Sequence, residues 1–216
     1  MYFSKITPDI RRQSVRRLLG NRQALHAAVE SVQDDTVGRD TQGRLLWRLE
    51  TSGASATLYI LSPGVPNLAS LGYRLAAGPD TQIRDYTPLL ERLDGGQEYR
   101  FRLMANPIVA VHSGDGKARR VSLMVWSRQI QWLLDRAVAH GFEIPTAGAE
   151  PQVQTVDTGM LTFRRGGQPV RLAVCTYEGV LRVKDRDALV RTLTCGIGHG
   201  RGYGLGLITL APVWSA

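Results

Sequence analysis

The apolar positions of this chain switch period repeatedly, from two to about 3.6 and back, and the switches mark out its elements. Met1–Thr7 sets Tyr2 and Phe3 among polar residues and stops at Pro8, which predicts a first strand. Asp9 is placed to cap a helix over Arg11–Leu19, with Arg11, Arg12, Arg16 and Arg17 on its wet side. Gly20-Asn21 interrupts it. A second helix is predicted from about Asn21 to Val32, where Leu25, Ala28, Val29 and Val32 follow the i, i+3, i+4, i+7 rhythm of a buried face. Arg22, His26 and Glu30 form an adjacent i, i+4 row at its polar margin. His26 therefore falls at the core edge, with one ring face packed and its nitrogens reachable. After a polar, turn-rich loop (34–43), Arg44–Thr51 and Ala56–Leu61 read as strands joined by Ser-Gly-Ala-Ser. Asn67–Gly72 reads as one helical turn, Tyr73–Ala76 as a short strand, and Tyr86–Leu93 as a short helix ending at Asp94-Gly95-Gly96. Strand, helix, two strands, helix, strand is the order of a ferredoxin-like unit.

A second unit starts near Gln97. Glu98–Ala105 alternates cleanly, with Tyr99, Phe101 and Leu103 on one face and Arg100 and Arg102 on the other. Asn106-Pro107 turns it into Ile108–Val111, and Ser113–Arg120 reads as a basic hairpin tip carrying Lys117, Arg119 and Arg120. Ser127–His140 is a helix by the spacing of Ile130, Leu133, Leu134, Ala137 and Val138, closed by Gly141, with His140 as a cation at its C-terminal end. Val153–Val156 and Met160–Arg164 flank turns, and Arg165-Gly166-Gly167 leads into strands at Val170–Tyr177 and Gly179–Val183. Asp185 or Asp187 caps a helix running to about Cys195, and Leu207–Leu210 closes the sheet before Pro212. The pattern as a whole predicts an α+β protein of two units, residues 1–95 in the ferredoxin-like βαββαβ order and residues 96–216 as a second strand-and-helix unit.

Composition changes this picture in one respect. The 216 residues carry a net charge of +8, and the pI is near 10.0, so a polyanion or an anionic membrane surface is the expected partner. Residues 1–95 hold 12 basic and 10 acidic side chains, against 15 and 9 in residues 96–216, so the electrostatic grip belongs mostly to the second half. Arginine outnumbers lysine 24 to 3; the arginine fork suits phosphate and guanine edges, and a genome rich in arginine codons gives the same ratio. Cys175 and Cys195 have no second pair, which excludes a zinc ribbon or disulfide framework and fits a reducing cytoplasm. No apolar run approaches membrane-spanning length. The expectation is a soluble cytoplasmic chain without a membrane partner.

The strongest local signal is Cys195–Leu207, in which every second residue from Gly196 to Gly206 is glycine, with His199, Arg201 and Tyr203 between. Such a run is either a concave row of N–H donors for phosphate or a loop packed tightly on a strand. It lacks the Gly-Lys-Ser/Thr ending of a mononucleotide loop. The four histidines (26, 112, 140, 199) give no metal-binding pair on one helix, so no metal and no cofactor is expected. No Gly-x-Ser-x-Gly is present, and Cys175 lies in an apolar run. A histidine, a glycine loop and arginines suffice for one polyanion chemistry. RNA supplies its own 2′-hydroxyl nucleophile, a near-neutral histidine moves the proton, and amides with an arginine hold the extra charge on phosphorus. These residues permit that chemistry without requiring it, and a phosphometabolite seat stays open.

Several segments together carry a family likeness: Gln97–Pro107, Trp132–Phe142, Tyr177–Val183, and above all Gly196–Leu210. With the Met-Tyr-Phe-Ser-Lys start and the Ala-Leu-His-Ala-Ala helix, the chain resembles the CasE-type CRISPR RNA-processing endoribonucleases of the type I-E Cascade complex. The resemblance implies two ferredoxin-like domains and metal-independent cleavage of the repeat stem-loop in precursor CRISPR RNA. The products are then a 5′-hydroxyl and a 2′,3′-cyclic or 3′ phosphate, and the mature RNA stays with the other Cascade subunits. It places the catalytic histidine at His26. Relatives often have a tyrosine at the position of Gln23, a departure that raises the alternative of a non-catalytic hairpin-binding subunit. Lys117, Arg119, Arg120, Arg164 and Arg165 fall where relatives bear basic loops. Gly196, Gly198, Gly200, Arg201, Gly202, Tyr203 and Gly204 complete the expected RNA-binding set.

Overall fold

A computed structural model describes residues 1–33, 43–112 and 118–213, with His112 and Ala118 placed by backbone alone. The first half runs β1 (Tyr2–Ile6), α1 (Gln13–Gly20), α2 (Arg22–Glu30), β2 (Leu46–Ser52), β3 (Ser55–Ser62), α3 (Ala69–Leu75), β4 (Gln82–Asp85) and α4 (Thr87–Arg92). The second begins with β5 (Glu98–Ala105), the hairpin β6 (Ile108–His112) and β7 (Ala118–Ser122), and α5 (Trp126–Ala137). Three two-residue strands follow: β8 (Phe142–Glu143), β9 (Thr146–Ala147) and β10 (Glu150–Pro151). The chain ends with β11 (Val153–Arg165), β12 (Gln168–Val183), α6 (Arg186–Cys195) and β13 (Ile208–Pro212).

The first sheet has the order β2-β3-β1-β4 and the second β11-β12-β5-β13, with β8 beside the end of β12. All neighbours are antiparallel. Each order is that of a ferredoxin-like βαββαβ unit, so the fold is the expected α+β pair. The second unit carries the β6–β7 hairpin as an insertion ahead of its first helix.

Strand alternation divides the first sheet between two cores. Trp47, Leu49, Leu58 and Ile60 face α1, α2 and α3, whose Val15, Leu25, Val29, Leu71 and Leu75 are buried. Leu46 and Leu61 face the other way and share one apolar cluster with Phe101, Leu103, Trp132, Tyr177 and Leu193 of the second half. Arg48 lies on that same inner face at 2% exposure. Its Nε donates to Glu50 Oε1 at 2.8 Å, its Nη1 to the carbonyls of Arg102 and Leu207 at 3.0 Å each, and its Nη2 to Thr209 Oγ1 at 2.8 Å. A buried guanidinium is tolerated only when so fully partnered, and here it fastens one sheet to the other.

Four local expectations are corrected. Residues 73–75 continue α3, because Leu71 and Leu75 sit one helical turn apart and are both fully buried, and the fourth strand is the exposed β4 instead. Asp9 does not cap α1; its carboxylate accepts from Arg11 N and Nε, and the helix begins after Arg12. The segments 153–156 and 160–164 form one strand with a register shift between Thr155 and Asp157, and 170–177 and 179–183 likewise form one. His140 sits in a 3-10 turn (Val138–His140) with Nδ1 2.8 Å from Thr192 Oγ1, and burial, then Arg136 and Arg201, pulls its pKa below the ordinary value. It is a poor cation, contrary to its expected role. Asp185 does cap α6, accepting from Ala188 N at 2.9 Å.

Candidate nucleic-acid interface

α2 starts because Asn21 Oδ1 accepts from Ala24 N at 3.0 Å, and it holds because Leu25, Ala28 and Val29 are buried. That leaves Arg22, Gln23 and His26 on the flank facing the second half. The glycine loop meets this flank. A Cβ built on Gly202 would stand 3.3 Å from His26 Cε1, tighter than an ordinary contact, so the bare glycine lets the loop backbone lie close against the imidazole. The Tyr203 ring stands edge-on to His26 at 5.6 Å between centroids, and its hydroxyl donates to Gln23 Oε1 at 3.4 Å. Phe163 packs on the other side of Tyr203 at 4.4 Å.

His26 is 26% exposed, and its Nδ1 is buried and lies 3.5 Å from Glu30 Oε1 without hydrogen-bond geometry. The solvent contact of the ring therefore lies away from Nδ1. This is the core-edge placement that the i, i+4 row predicts.

Trp47, 1% exposed, seats the loop from below: its Nε1 donates to the Gly202 carbonyl at 3.2 Å. A Cβ on Gly204 would come within 2.6 Å of that indole, and Gly204 has φ +83°, so both shape and conformation demand glycine there. Gly196, Gly198 and Gly200 also have positive φ. Within the loop, the N–H groups of Gly196, Ile197, Tyr203, Gly204 and Gly206 bond to backbone carbonyls. Those of residues 198–202 make no backbone hydrogen bond among the described residues. The stretch of amides without a backbone acceptor thus reaches the His26 ring at Gly202, and unpaired amides of a glycine loop suit an anion.

The basic residues converge on the same loop. The pKa of His199 is lowered first by burial and then by the positive charges of Arg120, Arg201 and Arg136. Arg201 Nη1 donates to the carbonyls of Cys195 and Gly196 at 3.2 and 3.3 Å, closing the C-terminal end of α6. Arg119 and Arg120 are exposed on β7, and Lys117 lies outside the described residues. Arg164 and Arg165 are exposed at the β11–β12 tip, one and two residues beyond Phe163, so this tip borders the His26 flank.

Sequence reasoning did not single out Trp47, Phe163 or Arg22. The first two meet the site only through contacts far apart in sequence. Arg22 had a signal, since it shares the i, i+4 row with His26. No helix among the described residues is long and apolar enough to cross a membrane.

Comparison with known proteins finds relatives along most of the chain. The chain is 28% identical over 218 residues to the CRISPR-associated endoribonuclease Cse3 of Thermus thermophilus, covering 98% of this chain and 100% of that protein. It is 29% identical over 130 residues to the CRISPR system Cascade subunit CasE of Escherichia coli, covering 56% of this chain and 62% of that one. A solved structure of the CRISPR endoribonuclease Cse3 bound to a 19-nucleotide RNA superposes with a TM-score of 0.85 at 28% identity, covering 98% of this chain and 100% of that chain. Residues 1–212 match the family of CRISPR associated proteins, and the chain belongs to that family.

Proposed function

We propose that this protein is an endoribonuclease that binds the stem-loop of precursor CRISPR repeat RNA, cuts it without a metal ion, and keeps the product within a Cascade assembly in the cytoplasm. The observation that carries the reading is the contact of His26 with Gly202 in the stretch of amides without a backbone acceptor. An endoribonuclease relative matched along its whole length, and a like structure with RNA bound, support it. The relative that is a Cascade subunit supports the assembly.

In this reading residues 1–95 present the proton-transfer group and residues 96–216 hold the RNA. The stem is gripped by shape and phosphate contacts, through Arg119 and Arg120 on β7 and Arg164 and Arg165 on the β11–β12 tip. The scissile phosphate lies on the amides of residues 198–202, which take up the negative charge that grows on phosphorus. The 2′-oxygen bonds to phosphorus and the bond from phosphorus to the 5′-oxygen breaks. The 2′-hydroxyl loses a proton and the departing 5′-oxygen gains one, with His26 serving this transfer. The products are a 2′,3′-cyclic phosphate and a 5′-hydroxyl. Gln23 accepts the Tyr203 hydroxyl, so a phenol from the second half stands where relatives often carry one on α2 itself.

The test is a labelled repeat hairpin incubated with the protein in EDTA, beside the same hairpin with a 2′-deoxy ribose upstream of the cut. The ribose hairpin is cut in EDTA and the deoxy one is not. Cutting that requires a divalent metal would overturn the mechanism. A hairpin that is bound but never cut would instead make the protein a non-catalytic binding subunit.

A further inference from the structure

One helical turn before His26, about 6 Å along the α2 axis, a second cavity opens between the two halves. It measures about 260 Å³, its charged lining is Arg22, Glu50, Arg102 and Asp157, and Thr176 is among the threonines beside them. Met104 and Val174 give it an apolar wall. Nothing in the cleavage chemistry above uses it.

Three buried side-chain atoms of its lining make no hydrogen bond among the described residues, and one of them, Arg102 Nε, has only its ion pair with Glu50. Thr176 is 1% exposed, and its Oγ1 has no hydrogen-bond partner among the described residues. The same holds for Nη1 of Arg22, whose guanidinium lies over the Trp47 ring at 5.5 Å and whose pKa burial pulls below the ordinary value. Buried polar groups are almost always satisfied, so orphaned ones on a cavity wall mark a place for a ligand.

The charges decide which ligand. Arg22 and Arg102 are balanced by Glu50 and Asp157, and Glu50 already accepts from Arg48 and lies 3.1 Å from Arg102 Nε. A neutral, partly apolar hole is a poor seat for phosphate. It is also smaller than the roughly 300–1,000 Å³ of drug-sized sites, the scale of a single planar group. The register shift at Thr155/Asp157 is a β-bulge, a device that re-aims side chains beside functional sites, and it brings Asp157 to the rim. An arginine fork pairs with the O6 and N7 acceptors of guanine. A carboxylate takes the N–H donors on the opposite edge of the same base.

We propose that this cavity receives the base of an unpaired nucleotide adjoining the scissile phosphate, and that it selects guanine. The inference rests on the RNA-processing reading above. Its test reads binding alone, so that it is separate from cleavage. Hairpins made uncleavable by a 2′-deoxy ribose are titrated with the protein, carrying an abasic site or each of the four bases at the positions flanking the cut. At one position, removing guanine or replacing it weakens binding about ten- to a hundred-fold. Arg22→Ala weakens binding of the intact hairpin by a similar factor, and the abasic change then costs nothing more. Thr176→Val, nearly the same shape, gives a smaller loss at that same position, and thermal melting checks that both variants are folded. Equal binding of all flanking bases, or losses that multiply in the Arg22→Ala background, would overturn the proposal. A hairpin bound with guanine preference yet left uncut in its ribose form would sink the cleavage reading and leave this one standing.

Discussion

The strands of the first sheet run four to eight residues, whereas β11 and β12 of the second run 13 and 16. Residues 168–174 of β12 pair with β11 but not with β5, so the two strands leave their own sheet as a ribbon that crosses α2. Among the described residues the first half has no such extension. Its surface near the shared cleft is a helix flank bearing Arg22, Gln23 and His26. Under the proposed function one fold plan would serve two tasks: the short-stranded half would hold a proton-transfer group still, and the long-stranded half would reach out with arginines. The plan itself therefore carries no function. Function sits in what each copy adds to it.

The most severe challenge to this division is to cross the two sets of residues. His26→Ala should lower single-turnover cleavage about a hundred- to ten-thousand-fold and change hairpin affinity by no more than a few-fold. The combined Arg119, Arg120, Arg164 and Arg165→Ala protein should do the reverse, weakening binding and flattening its salt dependence by about 0.9 for each phosphate that is no longer neutralised. If the histidine variant bound more weakly and the arginine variant cut more slowly at saturating RNA, the halves would not divide the work.

A second experiment probes how separate the halves are. Arg48→Ala leaves the Arg102 and Leu207 carbonyls and the Thr209 hydroxyl without their donor and should cost about 3 kcal/mol in denaturant unfolding. The wild type should unfold in one transition, because the largest apolar cluster draws on both sheets. Two transitions would show that the halves stand alone.

A smaller effect is expected of Tyr203→Phe. It keeps the ring against His26 and Phe163 but removes the hydroxyl on Gln23, a long bond that contributes about 0.5 kcal/mol. Cleavage should slow two- to three-fold (about that ratio of equilibrium constants) with affinity unchanged. A loss as large as that of His26→Ala would give the phenol a direct part in the reaction.

The smallest effect concerns pH. His140 has a folded pKa below about 6.5, from burial first and then from Arg136 and Arg201. As pH falls through about 6.5 the unfolded chain takes up the proton before the folded one does, so stability declines with acidification until the folded value is passed. His140→Gln should remove part of that decline in melting temperature between neutral and mildly acidic buffer. An unchanged slope would leave His199, whose pKa is lowered in the same direction, as the remaining imidazole source.

The elements that bury a patterned face were legible in the sequence. α2 and α5 followed from their apolar spacing, β5 from its alternation, and His26 fell where its row on the helix put it. What escaped has no such face. β4 is exposed along its whole length and is held by pairing with β1, so no periodicity announces it. Most of β11 is exposed too, which is why the pattern there suggests two pieces around a turn. The seat of Gly204 on Trp47 and the clasp of Arg48 depend on partners from the other half, and no local window contains both members of either pair.

The clasp of Arg48 also bears on inheritance. Either half, made by itself, would carry a cation cut off from its carbonyls or a set of carbonyls cut off from their cation, in the middle of an opened apolar seam. The expectation is that such pieces trade poorly between genes as free modules. A recombination joint near residue 95 would succeed only when both parents kept this guanidinium and the shape of the strands that receive it.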